Sequence, residues 1–120
     1  MVVKRVLVVD DNMDSAESLS LLLQLMGHTV RMAHDGEQAL AEADAFRPEF
    51  VLMDIGMPRM DGYEAARRLR QAAWSAETVL VALTGWGQDE DKRRSEEAGF
   101  DHHLIKPVDP TALERLLGKQ

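Results

Sequence analysis

Four places along the chain set a residue with ligating or reactive capacity directly after a short apolar run. Val6-Leu7-Val8-Val9 ends at Asp10-Asp11, and Phe50-Val51-Leu52-Met53 ends at Asp54. Thr78 to Leu83 ends at Thr84-Gly85, and His103-Leu104-Ile105 ends at Lys106-Pro107. Gathered in one place, three carboxylates would repel one another and each would resist ionisation. A hard cation relieves that repulsion. Magnesium takes oxygen ligands and keeps several waters, so one or two carboxylates suffice to hold it. A carboxylate can also act as a nucleophile and form an aspartyl phosphate. Metal and lysine charge would then offset the charge on the transferring phosphoryl oxygens. The Thr84 hydroxyl can bond a third oxygen, and the small Gly85 leaves it room. Singly, each residue has a plainer reading: Asp10-Asp11 as a helix cap, Thr84 as a strand-end threonine, Lys106 as a surface lysine. Their joint placement carries the chemical reading.

That placement depends on the elements between them. Five β-like runs alternate with five helix-like stretches. The first run, Val6 to Val9, precedes a helix from Met13 to Met26 in which Ala16, Leu19, Leu22, Leu23 and Met26 recur at helical spacing, capped by Asp11 or Asn12 and stopped by Gly27. Thr29 to His34 is a second strand, and Asp35-Gly36 turns into a helix from Glu37 to Phe46 that Arg47-Pro48 breaks. The third strand, Phe50 to Met53, leads through the loop Ile55 to Gly62 into a helix carrying Tyr63, Ala66, Leu69 and Arg70. After the fourth strand, Thr78 to Leu83, a helix of about Gln88 to Ala98 stops at Gly99, with Phe100 placed for the apolar contact of a glycine C-cap. His103 to Ile105 is the fifth strand, and Pro110 to Leu117 the last helix. Nearly continuous apolar strands between helices imply an α/β fold with a parallel sheet covered on both faces. Right-handed crossovers bring every strand's carboxyl end to one edge, where such sheets bind ligands.

Composition excludes several classes. At 120 residues the chain is one domain, and 45% apolar residues can build its core. With no cysteine it has no disulfide, thiolate metal site or thiol nucleophile, which fits a cytoplasmic location. A formal charge of −7 argues against direct nucleic-acid binding. The apolar runs are far shorter than the ~20 residues of a membrane helix, and the start is no signal peptide.

The stretches Val6 to Asn12, Leu52 to Gly62, Ala82 to Gly85 and Lys106-Pro107 together resemble the receiver domains of response regulators, over essentially the whole of residues 1–120. The resemblance implies a flavodoxin-like, doubly wound sheet in strand order 2-1-3-4-5 with five flanking helices. It implies that Asp54 accepts a phosphoryl group from a phosphohistidine on a histidine kinase or histidine phosphotransfer domain. Asp11 and Asp54 would bind Mg2+, or Mn2+ in its place; Asp10 would orient its water shell, and the Gly56 carbonyl would be a further ligand. Thr84 and Lys106 would contact the phosphoryl group, and the Lys106-Pro107 bond would be cis. Phosphorylation would switch protein–protein contacts, and the face of the fourth helix, fifth strand and fifth helix could form a weak dimer.

One position departs from the family. Tyr or Phe usually stands three residues before the lysine; here it is His103, preceded by His102. Either His103 is a partly buried polar side chain, or it replaces the aromatic switch and its charge tunes coupling near neutral pH. Gly56 and Trp86, each two residues after a site residue, are candidates for setting rates: a glycine leaves the phosphoryl group open to water, and a tryptophan could cover it or simply pack on the surface. The fourth helix has no large apolar residue, so it is either the least stable element or a plain solvated helix. Ion pairs Asp89 to Arg93 and Glu90 to Arg94 would add only a few tenths of a kcal/mol each.

Three other readings compete. A haloacid-dehalogenase-like phosphatase needs Asp-x-Asp after its first strand, and this chain has Asp10-Asp11-Asn12. A flavin protein needs a phosphate loop there, which carboxylates would repel. A pseudo-receiver would bind partners without phosphoryl transfer, yet all five site residues are present. The chain either stands alone or is a receiver from a hybrid histidine kinase. Leu83 to Asp91 and Ala98 to Leu104 look more like the second.

Overall fold

The elements follow in the order β1 (Arg5–Val9), α1 (Met13–Leu25), β2 (Thr29–Ala33), α2 (Gly36–Phe46), β3 (Phe50–Asp54), α3 (Gly62–Arg70), β4 (Val79–Thr84), α4 (Asp89–Ala98), β5 (His102–Ile105) and α5 (Pro110–Gly118). The structure is a computed structural model and describes residues 4–57, 61–85 and 89–118, with backbone alone at 89–92. All four strand pairings are parallel, and the sheet order is β2-β1-β3-β4-β5. Observed boundaries differ from the predicted ones by a residue or two. Pairing, not apolarity, sets the strand ends: polar Arg5 pairs with Thr29, and His102 pairs with Val81. A 3-10 turn at Ala73–Glu77, which no sequence periodicity marks, joins α3 to β4.

The apolar runs are explained by cover on both faces. Alternate residues of the central strands enter opposite cores. Leu7, Val9, Val51, Met53, Leu80 and Ala82 pack with side chains of α2, α3 and Ala98 of α4. Val6, Val8, Phe50, Leu52, Val81 and Leu83 pack with Leu19 and Leu23 of α1 and Leu113 and Leu117 of α5. Alternation within a strand is the ordinary period of two, and burial on both faces makes every position apolar. In these strands polar residues stand only at the ends, at Arg5 of β1, Asp54 of β3 and Thr84 of β4.

Helix ends are placed by local chemistry. Asn12, Asp35 and Asp61 each accept the backbone N–H three residues on, capping α1, α2 and α3. Gly27 and Gly99 take positive φ of 94° and 104° after α1 and α4. In α4 the buried described side chains are Ser95 and Ala98, both small. The predicted pairs from Asp89 and Glu90 involve side chains outside the described residues. Arg94 lies over the Tyr63 ring, 4.4 Å from its centroid.

One polar side chain ties the α4 end of the molecule to the sheet. Arg70 Nε donates to Gly99 O at 3.0 Å, one terminal nitrogen donates to Ser75 O and Thr78 O, and the other meets Asp101 Oδ2 at 2.6 Å. The same Asp101 oxygen accepts the Leu80 N–H. Ser75 and Thr78 are buried; the Ser75 carbonyl also accepts the Thr78 N–H at 2.9 Å, and the guanidinium ties both carbonyls to α3. Removing one partner of buried hydrogen bonds costs more than the bonds contribute net. Arg70→Ala is therefore expected to lower the free energy of unfolding by about 2–4 kcal/mol in urea denaturation, and Arg70→Lys should recover less than half, because an ammonium cannot span the fork.

Candidate functional site

The carboxyl ends of β1, β3 and β4, with the residue after β5, bring Asp10, Asp11, Asp54, Thr84 and Lys106 to one edge of the sheet. Asp10 is 3% exposed. Its backbone N–H donates to Ala33 O at 3.1 Å, and its Oδ1 accepts the Asn12 N–H at 3.0 Å. Its Oδ2 accepts from Lys106 Nζ at 2.9 Å. Because Asn12 takes the capping role, the neighbouring Asp11 carboxylate stays exposed at the site. One carboxylate oxygen from each of Asp10, Asp11 and Asp54 lies within 4.8 Å of the others.

Asp54 ends β3 with a half-buried carboxylate. Oδ1 accepts the Gly56 N–H at 3.0 Å, and Oδ2 faces Lys106 Nζ at 3.3 Å. Lys106 thus bridges two of the three carboxylates. Burial works against its charge, but the hydrogen bond to Asp10 and the fields of Asp54 and Asp10 outweigh it and raise its pKa above the ordinary lysine value. The Lys106–Pro107 peptide bond is cis, and Lys106 N–H donates to Thr84 O at 2.7 Å, so strand pairing carries the lysine to the site. Thr84 is 3% exposed, and its Oγ1 lies 2.8 Å from His103 Nε2.

The glycines divide into two kinds. A Cβ on Gly56 would sit 3.6 Å from Asp54 Oδ1, at ordinary contact distance, so a side chain there would stand beside the carboxylate. A Cβ on Gly85 meets nothing within 4 Å, leaving open space after Thr84. Gly62 is different: its Cβ would lie 2.6 Å from Ile55 Cα and 2.7 Å from the Asp54 carbonyl oxygen. Backbone meets backbone here, and α3 starts against the residue that ends β3. Sequence alone assigns Gly62 no role, although Asp61-Gly62 before a helical pattern is the available signal. Trp86, the other candidate for setting rates, lies outside the described residues.

The donor set suits a hard cation: carboxylate oxygens within 4.8 Å of one another, with no nitrogen or sulfur ligand among them. Oxygen donors, a bridging ammonium and a nearby hydroxyl can together accommodate an anionic, oxygen-rich group that arrives with a divalent ion. Gly62→Ala is expected to lose about 2–3 kcal/mol of stability in urea denaturation, as overpacking against immovable atoms does. It should also shift the backbone amide resonances of Asp54 and Ile55 in two-dimensional NMR.

Comparison with known proteins agrees with this geometry. A family model described as the response regulator receiver domain matches residues 6–117. Response regulator MprA of Mycobacterium ulcerans is 38% identical over 115 residues, covering 96% of this chain and 47% of that protein. The chain thus spans about half the length of that relative. An uncharacterised 14.6 kDa protein of Leptolyngbya boryana is 35% identical across 93% of this chain and 86% of its own. Among solved structures, the chemotaxis protein CheY4 of Vibrio cholerae superposes with a TM-score of 0.92 at 31% identity, covering 98% of each chain. The receiver domain of sensor histidine kinase PA1611 from Pseudomonas aeruginosa superposes with a TM-score of 0.89 at 30% identity, covering 98% of this chain and 97% of that one, and holds a magnesium ion in its active-site cleft. No helix among the described residues is long and apolar enough to cross a membrane. With the sheet order, the acidic edge and these relatives in agreement, the chain belongs to the response regulator receiver domain family of two-component signalling.

Proposed function

We propose that the chain is a phosphoacceptor: Asp54 takes a phosphoryl group from a phosphohistidine on a histidine kinase or histidine phosphotransfer domain. The observation that carries this reading is the position of Asp54, 3.3 Å from Lys106 Nζ and within 4.8 Å of the Asp10 and Asp11 carboxylates. A carboxylate so placed faces an ammonium and lies against a cluster that calls for a cation. Asp11 and Asp54, with the Gly56 carbonyl, would hold Mg2+, or Mn2+ in its place, and Asp10 would orient the water around it. Bound there, the ion supplies positive charge against phosphoryl oxygens.

The chain's own groups do the rest. An Asp54 carboxylate oxygen attacks phosphorus, an oxygen–phosphorus bond forms, and the nitrogen–phosphorus bond to the donor imidazole breaks. The imidazole leaves with the bonding pair. Lys106 donates to one phosphoryl oxygen and the Thr84 hydroxyl to another, stabilising charge where it is transferred. Lys106 must then loosen its hold on Asp10, which gives the new group a direct grip on the β5 end of the sheet. His103, bonded to Thr84, is the side chain through which that change would reach the α4–β5 face. Ile105, half exposed on β5, gives that face an apolar footing for a partner or a weak dimer.

Intact mass after incubation with magnesium and a small-molecule phosphodonor tests the reading. The expected result is one added phosphoryl group, absent in Asp54→Asn and absent when the metal is chelated. No addition from any donor, a phosphorylated phosphotransfer domain included, would instead make the chain a pseudo-receiver that works by binding alone.

A further inference from the structure

Asp10 is held at every polar atom it has. Its N–H donates to Ala33 O at 3.1 Å, its Oδ1 accepts the Asn12 N–H at 3.0 Å, and its Oδ2 accepts from Lys106 Nζ at 2.9 Å. The remaining atom, the carbonyl oxygen, lies 3.3 Å from Nδ1 of the His34 ring. The first three holds come from the strand, the following turn and the site lysine. The fourth comes from a side chain for which the phosphoryl chemistry has no other use. The β1–β2 ladder explains why a side chain stands there. Its rungs run from Thr29 N–H on Lys4 O at one end to Asp10 N–H on Ala33 O at the other. In a parallel pair of this register the next rung would run from the Asp35 N–H to Asp10 O. The chain leaves the ladder first, because Asp35 becomes the N-cap of α2 and its carboxylate accepts the Gln38 N–H at 2.7 Å. The His34 ring takes the place of that rung. His34 is anchored in turn, its own N–H donating to Gln38 Oε1 at 3.0 Å.

We propose that His34 is a positioning residue of the metal site: its Nδ1–H fixes the Asp10–Asp11 peptide and so aims the Asp11 carboxylate at the cation. The proposal rests on reading Asp11 as a magnesium ligand. A peptide unit is planar, so whatever orients the Asp10 carbonyl also orients the Asp11 N–H and Cα. On its other side Asp11 meets Asn12, whose N–H, carbonyl and side chain are bonded to Asp10 Oδ1, the Ala16 N–H and the Ser15 N–H. Among the described residues the exposed Asp11 carboxylate has no hydrogen-bond or ion-pair partner of its own. Its aim is therefore set by the backbone between two fixed residues, and His34 supplies part of one fixed end. A carbonyl oxygen only accepts, so the contact needs a hydrogen on Nδ1. A neutral ring meets that need as one tautomer, and an imidazolium meets it as well, so the hold does not depend on the charge of the ring. Partners that orient metal ligands are worth roughly 10–100-fold in affinity. At 3.3 Å this bond is long for N–H···O, which puts the expected effect at the lower end.

Two measurements on the full chain test this. Long-range proton–nitrogen NMR of the imidazoles, without metal and at a pH where the rings are neutral, should find the His34 hydrogen on Nδ1. The bond a ring makes decides which nitrogen carries it, and a ring without this contact has no reason to choose Nδ1. Titration with magnesium chloride, followed at the Asp11 and Asp54 amide resonances, should then show affinity about tenfold weaker in His34→Leu than in the wild type. His34→Asn places an amide nitrogen the same number of bonds from Cα as Nδ1 and should bind magnesium nearly as the wild type does. Affinity is read on folded protein, so a general loss of stability would not separate the two variants.

A hydrogen on Nε2 of His34 in the wild type would overturn the proposal, as would unchanged magnesium affinity in His34→Leu or an His34→Asn variant as weak as His34→Leu. Those failures leave the metal reading standing. Wild-type Asp11 and Asp54 amides that do not respond to magnesium would overturn that reading, and this proposal with it.

Discussion

Three carboxylates held within 4.8 Å of one another against a single ammonium form an unstable charge set. Each like-charged pair at such a distance costs on the order of 1 kcal/mol in a water-like dielectric, and several times that as the surroundings become drier. Lys106 offsets part of this by reaching Asp10 at 2.9 Å and Asp54 at 3.3 Å. Among the described residues, one ammonium against three carboxylates leaves the edge negative. That residual charge is what a divalent cation would relieve, and it must be stored by the fold until one arrives. The site is therefore built by elements that cannot move apart to escape the repulsion.

The sheet supplies that rigidity. Val6 to Val9 and Val51 to Met53 are fully buried, so β1 and β3 are held from both faces and their last residues project from a packed layer. Asp10 and Asp54 are also tied locally, to the Asn12 and Gly56 amides. Gly62 brings the start of α3 against the Asp54 carbonyl, where any side chain would intrude. The opposite end of the β4–β5 region is joined differently. Arg70 links Gly99, Ser75, Thr78 and Asp101 through hydrogen bonds. Between these two anchors lie Thr84 and His103, in mutual contact, beside an α4 whose described buried side chains are only Ser95 and Ala98. Rigidity at the acidic edge and light packing at α4 are compatible with a site that keeps its geometry while a neighbouring face changes.

Much of this was legible from residue order. Apolar runs ending in Asp10, Asp54, Thr84 and Lys106 gave the parallel sheet and the shared edge, because burial on both faces leaves a strong one-dimensional trace. Caps were legible too, although Asp11 and Asn12 could not be separated until Asn12 was seen to accept the Ser15 N–H. What stayed hidden depends on approach between residues far apart in sequence. Arg70 reads as a surface arginine at the end of a helix, and only the fold brings Gly99 and Asp101 to it. Arg94 reads as a partner for Glu90, whose side chain lies outside the described residues, and only the packing of α4 on α3 shows that it also lies over Tyr63. Arg47 holds a left-handed conformation (φ 52°) while its guanidinium lies over Trp74 and its carbonyl accepts from Arg5. Trp74 lies in the 3-10 turn, which has too few residues to show a period. His103 stands out in the sequence as a departure, but its partner atom on Thr84 follows only from the β4–β5 pairing.

If stored repulsion among the carboxylates is the constraint that magnesium resolves, stability and metal binding must trade places at Asp11. The direct measurement is urea denaturation of the wild-type chain and Asp11→Asn, each with chelator and with magnesium. Without metal, Asp11→Asn should be the more stable by about 1 kcal/mol, since it removes one of three like charges. With magnesium at about a hundred times its dissociation constant, the wild type should gain about 2.7 kcal/mol and overtake the variant, which loses a ligand. Crossing of the two is the predicted result. A variant less stable than wild type under both conditions, or a wild type indifferent to magnesium, would contradict it.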